Sequence, residues 1–402
     1  MRFSKRTDWN AEESEQARAY RDRVAAGLPI ADLTASNPTR CGFEYPPDLL
    51  DALTHPASLE YQPEPLGMLS ARQAVSRYYA ERGISFNPFH ALLTTSTSEA
   101  YSYLFKLLCD PGDLVLVMQP SYPLFDFLCD AEVVKLAPAP LVYDHGWQLD
   151  LEGLRRQITQ RTRAVVLVHP NNPTGHFTKL KEAEALAKIC REHDLALIVD
   201  EVFLDYRFPE GGGTADPGDW TSFAARDLGV LTFVVSGISK ICGLPQMKAA
   251  WLMATGPGAS EAMTRLEVLA DTYLSMNAPV QLALPVWLGR RARILDQIKE
   301  RVAANLAEMD RQLAAQSLVL VNRLEVEGGW YAILRIPAVQ PDELTARQLL
   351  DLGVWVHTGY FFGFGDSGWL VISLLAIPAE FSTGLRVLLE YFRPNQESYL
   401  NG

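Results

Sequence analysis

The chain is poor in cysteine, has no long apolar run and has no basic block, and each absence removes a class of protein. Five cysteines among 402 residues (Cys41, Cys109, Cys129, Cys190, Cys242) are an odd number, widely scattered, with no C-x-x-C pair. That pattern argues against a disulfide framework and against a zinc site, and reduced, mostly buried thiols are expected. No metal ligand set is expected either. No apolar stretch approaches the roughly 18 residues of a membrane span. The N-terminal stretch MRFSKRTDWNAEESEQARAYRDRV is charged throughout and lacks the apolar centre of a signal peptide, so a cytoplasmic protein is expected. Lys and Arg total 36 against 48 Asp and Glu, a formal charge of −12 with no Lys/Arg-rich block. Nucleic acid and anionic membrane surfaces repel such a chain, which leaves small molecules as the expected partners. There is no internal repeat and no low-complexity segment.

What is present is the composition of a globular protein, 48% hydrophobic and 21% charged. The length implies more than one domain. Short β-branched runs recur: LVLVM from Leu114, EVVKLA from Glu132, AVVLVHP from Ala164, LALIVD from Leu195 and VLTFVVS from Val230. Between them lie segments of helical period, such as LKEAEALAKICREHDLA from Leu180. The alternation predicts an α/β fold, a mainly parallel sheet sandwiched by helices, with ligands beyond the carboxyl ends of the strands. After about Asn277 the pattern changes. PVQLALPVWLGRRARILDQIKERVAANLAEMDRQLAAQ reads as one long helical stretch, and LVLVNRLEVEGGWYAILRIP alternates like strands. A helix near DELTARQLLDLG and a strand WLVISLL complete a smaller α+β domain. The Gly-rich EGGGTADPGDW from Glu210 reads as a surface loop or a mobile element of an active site.

Polar groups stand where four of these strands end. In VVSGISKICGLPQMKAAW, Lys240 lies between a β-branched run and a Gly-Leu-Pro turn. Such a lysine either snorkels to water along its methylene stem or, in a partly dry pocket, loses its proton and forms a Schiff base with a carbonyl. TTSTSEAYSYLFKLL places Ser96, Thr97 and Ser98 where a loop opens into a helix, a plain N-cap or a cradle for phosphate. VHPNNPTG follows a strand directly, and ALIVDEVFLDY ends one in Asp200. A buried carboxylate there needs a partner, either a structural ion pair or a cap, or the cationic nitrogen of a pyridinium ring. Tyr122, in MQPSYPLF, is placed to stack on a flat ring or simply to pack in the core. Taken together, a phosphate cradle, a stacking aromatic, a carboxylate and a lysine on successive strand ends specify pyridoxal phosphate.

From SNPTR through YQPEPLG, PGDLVLVMQPSYP, HPNNPTG, DEVFLDY and SGISKICGLP to GGWYAILRIP, the sequence resembles the class I/II aminotransferases, the fold-type-I pyridoxal-phosphate enzymes. The resemblance implies that Lys240 carries the cofactor as a Schiff base and shuttles the proton at the substrate's Cα. It implies that Asp200 keeps the pyridine nitrogen protonated, that Asn172 binds the ring's 3′ oxygen and that Tyr122 stacks on the ring. Ser96, Thr97, Ser98 and Ser239 are then the phosphate ligands. Tyr61, in YQPEPLG, matches a tyrosine that reaches the partner subunit's phosphate, so a homodimer with shared active sites is expected. The implied division is an N-terminal segment, 1–45, packing with the small domain, a large cofactor-binding domain, 46–277, and a small domain, 278–402.

Three positions depart from the family's pattern. Lys248 stands eight positions after Lys240, where the family has a phosphate-clamping Arg; the charge stays but the bidentate fork is lost. Phe203 replaces a tyrosine that donates to the 3′ oxygen, and Tyr206 is the candidate substitute. Val371, in WLVISLL, replaces the Arg that pairs with the substrate's α-carboxylate. Either another cation holds that carboxylate, with Arg40 in the pocket-lining segment that also carries Ser36 the first candidate, or the substrate has none there. Tyr360, Phe361 and Phe362 in HTGYFFGFGD imply an apolar or aromatic side of the site. The expected activity is a ping-pong transamination of an amino acid or related amine. The alternatives are a lyase, replacement enzyme or decarboxylase using the same cofactor, and a cofactor-binding sensor without turnover.

Overall fold

The apolar runs lie side by side in one eight-stranded sheet, in the order Ala91–Thr94, Ala250–Thr255, Thr232–Gly237, Ala196–Asp200, Thr162–Val168, Leu114–Gln119, Lys135–Tyr143 and Trp147–Leu149. These elements belong to a computed structural model that describes residues 1–10, 12–208 and 217–393. The five strands from Thr232–Gly237 to Lys135–Tyr143 are parallel to their neighbours, Ala250–Thr255 is antiparallel to both of its own, and Trp147–Leu149 closes the far edge as a hairpin. Every residue of Ala196–Asp200 and of Thr232–Gly237 is buried, because parallel strands covered on both faces need continuous apolar runs. Successive side chains enter opposite cores. Val166, Ile198 and Phe233 pack under the helices Thr97–Leu108 and Ala259–Asp271, while Val165, Leu197 and Val234 join the core on the other side with the helix Leu180–His193.

A second, antiparallel sheet has the order Asn322–Arg323, Tyr331–Arg335, Trp369–Ser373, His357–Thr358. Ala31–Asp32 pairs in parallel with Val354–Trp355, which ties the N-terminal segment to the C-terminal part of the chain. Three expectations about elements are corrected. The long helical stretch after Asn277 is two helices, Ala278–Gly289 and Ala292–Ala314, broken at Arg290–Arg291. The run from Glu132 becomes strand only at Lys135, because Val133 is the left-handed cap (φ 60°) of the helix Leu124–Glu132. Of LVLVNRLEVEGGWYAILRIP only Asn322–Arg323 and Tyr331–Arg335 are strand; Gly328 and Gly329 interrupt the alternation in between. The glycine-rich loop from Glu210 lies, to residue 216, outside the described residues; its end, Pro217–Trp220, is a short turn with Asp219 buried. All five cysteines are free, and all but Cys109 are buried. Among the described residues no helix is long and apolar enough to cross a membrane, and no three His, Cys, Asp or Glu side chains group to hold a metal ion.

Candidate active site

The end of the strand Ala196–Asp200, Phe203 just beyond it and the segment carrying Trp330 meet at Lys240. The strand Thr232–Gly237 ends in a glycine at which a Cβ would meet Ala249 O and Ala250 Cβ at 2.9 Å, so the turn runs hard against the next strand. In the short helix Ile238–Ile241 the two isoleucines are buried and Ser239 and Lys240 between them are half-exposed. The Lys240 ammonium lies 4.6 Å from the centre of the Trp330 ring and 5.5 Å from that of Phe203. Burial among these rings lowers its pKa to about 8, against the opposing pull of the Asp200 charge. Tyr206 Oη donates to the Lys240 carbonyl at 2.6 Å. Tyr206 is therefore no substitute for the hydroxyl missing at Phe203; it fixes the lysine's backbone.

Asp200 ends its strand 7% exposed, accepting from Tyr101 Oη at 3.1 Å and from Val202 N at 3.0 Å. Burial raises its carboxyl to about 6; the two hydrogen bonds and Lys240 resist this only in part. A cation placed beside it would be strongly favoured. Glu201 serves a different neighbourhood, taking Ser222 Oγ and Phe223 N at 2.6 Å, and burial pushes it to about 7.

The Asn-Asn-Pro-Thr-Gly turn uses its first Asn for structure. Asn171 Oδ1 accepts from Thr174 Oγ1 at 2.8 Å, and Gly175 N donates to Asn171 O at 2.8 Å. Asn172 is left with its amide oxygen buried and without a partner. Gly175 has φ +70°, and a Cβ there would lie 2.4 Å from Gly328 O, so this turn packs directly on the backbone that leads to Trp330. Beside it the His176 ring lies 3.1 Å from Glu182 and 3.6 Å from Glu327, ion-pair distances, and Lys179 also pairs with Glu327. Burial by itself lowers the His176 pKa, but the two carboxylates outweigh it and the net shift is upward.

Ser96 caps the helix Thr97–Leu108: its Oγ accepts from Glu99 N at 3.2 Å, and Glu99 takes Thr95 N at 2.6 Å. Thr97 and Ser98 are the half-buried first residues of that helix, whose leading N–H groups have no intrahelical acceptor. Lys248 is exposed, with a left-handed φ of 52°. Tyr61 is 82% exposed and lines a hollow with Tyr103 and the segment from Ser275 to Ala278. Arg40 is exposed at the end of the turn Pro38–Arg40, and Ser36 lies beside the Tyr331 hydroxyl. Val371 is fully buried, paired with Ile333 on one side and His357 on the other. His357 stacks on Phe361 at 4.9 Å, and Tyr360 is largely exposed. Tyr122, 45% exposed, meets Phe361 edge-on at 6.5 Å and borders a cleft of about 1010 Å³ that Lys240, Asp200 and Asn172 do not line.

Lys240, Asp200 and Phe203 are thus gathered into one place, while Arg40, Lys248 and Tyr61 stand exposed. Two residues were missed by sequence reasoning: Tyr101, one helical turn beyond the Ser-Thr-Ser cradle, and Trp330, in the Gly-Gly-Trp-Tyr stretch. Both motifs are legible, but nothing local tells which ring turns toward the lysine. The buried Asp200 carboxyl, the helix N-terminus and the loosened Lys240 proton fit a phosphorylated pyridine aldehyde.

The sequence profile described as "Aminotransferase class I and II" matches residues 46–380. An alanine aminotransferase of Mycobacterium tuberculosis is 32% identical over 284 residues, 68% of this chain and 63% of that protein. The chain therefore spans less than two thirds of the length of that relative. An aspartate/prephenate aminotransferase of Thermus thermophilus is 28% identical over 354 residues, 84% of this chain and 86% of that one. Among solved structures, an alanine aminotransferase from Pyrococcus furiosus superposes with a TM-score of 0.84 at 23% identity, covering 97% of this chain and 99% of that chain. This last likeness is one of fold.

Proposed function

The chain belongs to the class I and II aminotransferases, and on that premise we propose that it moves an amino group between an amino acid and a 2-oxo acid with pyridoxal phosphate held at Lys240. The observation that carries this reading is the pairing of a half-buried lysine, lowered to about 8, with a buried carboxylate, raised to about 6 by the same enclosure. When bound, the cofactor supplies an aldehyde that captures the amine and a ring that withdraws the electron pair left at the substrate's Cα. Lys240 would take the proton from that carbon and deliver it to the cofactor's former aldehyde carbon, a task suited to an amine whose pKa lies near the working pH. Asp200 keeps the ring nitrogen protonated, and Asn172 donates from its amide nitrogen to the ring oxygen. Thr97, Ser98, Ser96 and Ser239 hold the phosphate with the helix N-terminus, assisted by Lys248. Tyr122 covers the ring. Phe203 contributes packing and no hydrogen bond.

The exposure of Tyr61 suits a second copy of the chain whose phosphate it would reach, so the working unit in this reading is a homodimer. The domains are read as 46–277 for the cofactor and 278–402 for closure over the substrate, with 1–45 packing on the latter. A cytoplasmic location completes the proposal. Val371 favours one second reading: without an arginine there, a different bond at the substrate carbon would face the ring, giving elimination, replacement or decarboxylation.

The test is the absorption spectrum of the cofactor-loaded protein, titrated with amino acids and with amines that lack a carboxylate, with Lys240→Ala alongside. Conversion of the cofactor from its aldehyde to its amine form, reversed by a 2-oxo acid, is expected. Release of ammonia or carbon dioxide without that reversal gives the second reading its place. A spectrum that responds identically in Lys240→Ala overturns both.

A further inference from the structure

The place where an arginine would emerge toward the substrate is sealed. Ile333, Val371 and His357 stand opposite one another across three strands, so their side chains share one face of the sheet. The His357 ring lies flat on Phe361 (4.9 Å, 6°) and edge-on to Phe362 (5.5 Å), and Phe362 in turn meets Tyr331 at 6.0 Å. Enclosure drops the His357 pKa to about 4 despite Asp32, so this ring is neutral at physiological pH. At this position the wall is aromatic and aliphatic carbon in place of an arginine.

The same wall is fastened to the end of the strand Leu114–Gln119. Ser121 N donates to Phe362 O at 2.9 Å, and Gln119 Nε2 donates to Gly363 O at 3.0 Å. These bonds hold Tyr122 against Phe361, and between them opens the cleft of about 1010 Å³, whose lining also includes Phe125, Phe127 and Leu344. A volume of this order suits a ligand far larger than a methyl group. The charged side chains on the cleft are Glu15, Asp126, Glu343 and Arg347, and Arg347 already pairs with Asp351 at 3.4 Å. Three carboxylates against one engaged arginine repel a second carboxylate on the ligand. Ser121, 8% exposed, borders the cleft with its Oγ buried and without a partner.

We infer that the cleft bounded by Tyr122, Phe361 and Ser121 receives the side chain of the amino-acid substrate, and that this side chain is a bulky uncharged group, aromatic or long and aliphatic. The inference rests on the aminotransferase reading, because it takes Tyr122 as the residue that covers the cofactor and so as the point where cofactor site and cleft meet. It sets this chain apart from relatives named for alanine and aspartate, whose side chains leave such a cleft empty or bring a charge to its acidic rim.

Two measurements on the cofactor-loaded protein test it. In turnover, phenylalanine is expected to exceed both alanine and aspartate in kcat/KM by about tenfold or more, the scale on which apolar pockets discriminate by size. Phe361→Ala lowers that ratio by a similar factor, and Phe361→Leu, which keeps an apolar side chain, lowers it less. By calorimetry, 3-phenylpropanoate, an unreactive analogue, binds more tightly than succinate or propanoate. Alanine or aspartate turning over faster than phenylalanine, with 3-phenylpropanoate binding no tighter than succinate, overturns the inference and leaves the aminotransferase reading intact. If no amino acid converts the cofactor, that reading fails instead, and preferential binding of 3-phenylpropanoate that is lost in Phe361→Ala still upholds the cleft as a site for such groups.

Discussion

Replacing His176 with glutamine takes a cation out of a fully enclosed site and leaves two carboxylates behind. Glu327 keeps Lys179 and the Phe177 N–H at 2.9 Å, and Glu182 keeps the N–H groups of Leu149 at 2.8 Å and Lys179 at 2.7 Å. Breaking a buried pair by removing one partner costs ~3–5 kcal/mol when nothing else compensates the remaining charge. With these partners retained, the expected loss is about half of that, ~2 kcal/mol. The pH dependence has a definite sign. Burial alone lowers the His176 pKa, but Glu182 and Glu327 raise it on balance. A raised folded pKa gives stability that is complete below the unfolded value of ~6.5 and is lost as pH climbs through the folded value. The carboxylates run the other way. Burial alone would raise Glu327, but His176 and Lys179 bring it down to about 2, and Glu182 is lowered too. Their contribution is present above the unfolded value of ~4.3 and is lost as pH falls. The variant is therefore most damaging between about pH 5 and 6.5, and its cost shrinks as pH rises through the folded value of His176. Equilibrium urea unfolding of the two proteins at pH 6 and pH 9, followed by tryptophan fluorescence, reads this directly. An equal loss at both pH values, or a loss under ~0.5 kcal/mol at pH 6 where the pair is complete, would refute the argument.

Lys240 in the cofactor-free protein should react with an amine-acylating reagent with a midpoint near pH 8, read by mass spectrometry of the modified peptide, since burial lowers it to about 8; a midpoint at the ordinary ~10.4 would mean an open, hydrated amine. Asp200→Asn should retain the fold but lose turnover by about a hundredfold or more, the usual scale for removing a charge aimed at the reacting group, measured as kcat with the preferred amino acid. Tyr206→Phe should cost ~1–3 kcal/mol in urea unfolding, because it leaves the Lys240 carbonyl without its 2.6 Å donor; a change under a few tenths would show that water replaces it.

The parallel core was legible because its cause is local. Continuous apolar runs such as those from Ala164 and Leu195 are what a strand buried on both faces requires, and each ends where the next polar residue stands. Hence Asn172, Asp200 and Lys240 were readable as neighbours at the carboxyl ends, since parallel strands in one sheet bring those ends together. The helix that opens at Ser96 was legible from its Ser/Thr-rich start, a capping residue where a loop leads into a helical run. Elements whose ends depend on a single backbone choice were not. The left-handed turn at Val133 delays a strand, and the break at Arg290–Arg291 divides a helical period that runs through it without interruption.

Sequence by itself determined the order of strands and helices and the chemical types at the strand ends, because periodicity and chain order carry that information within a few residues. Only the tertiary structure decided which side chains close over the lysine. Trp330 reaches it from ninety residues away, Tyr206 turns its hydroxyl to the lysine's carbonyl, and His357 with Phe361 seals the face at Val371. The first two of these contacts join segments far apart in the chain, and side-chain direction there is set by the packing of whole layers, which no local pattern encodes.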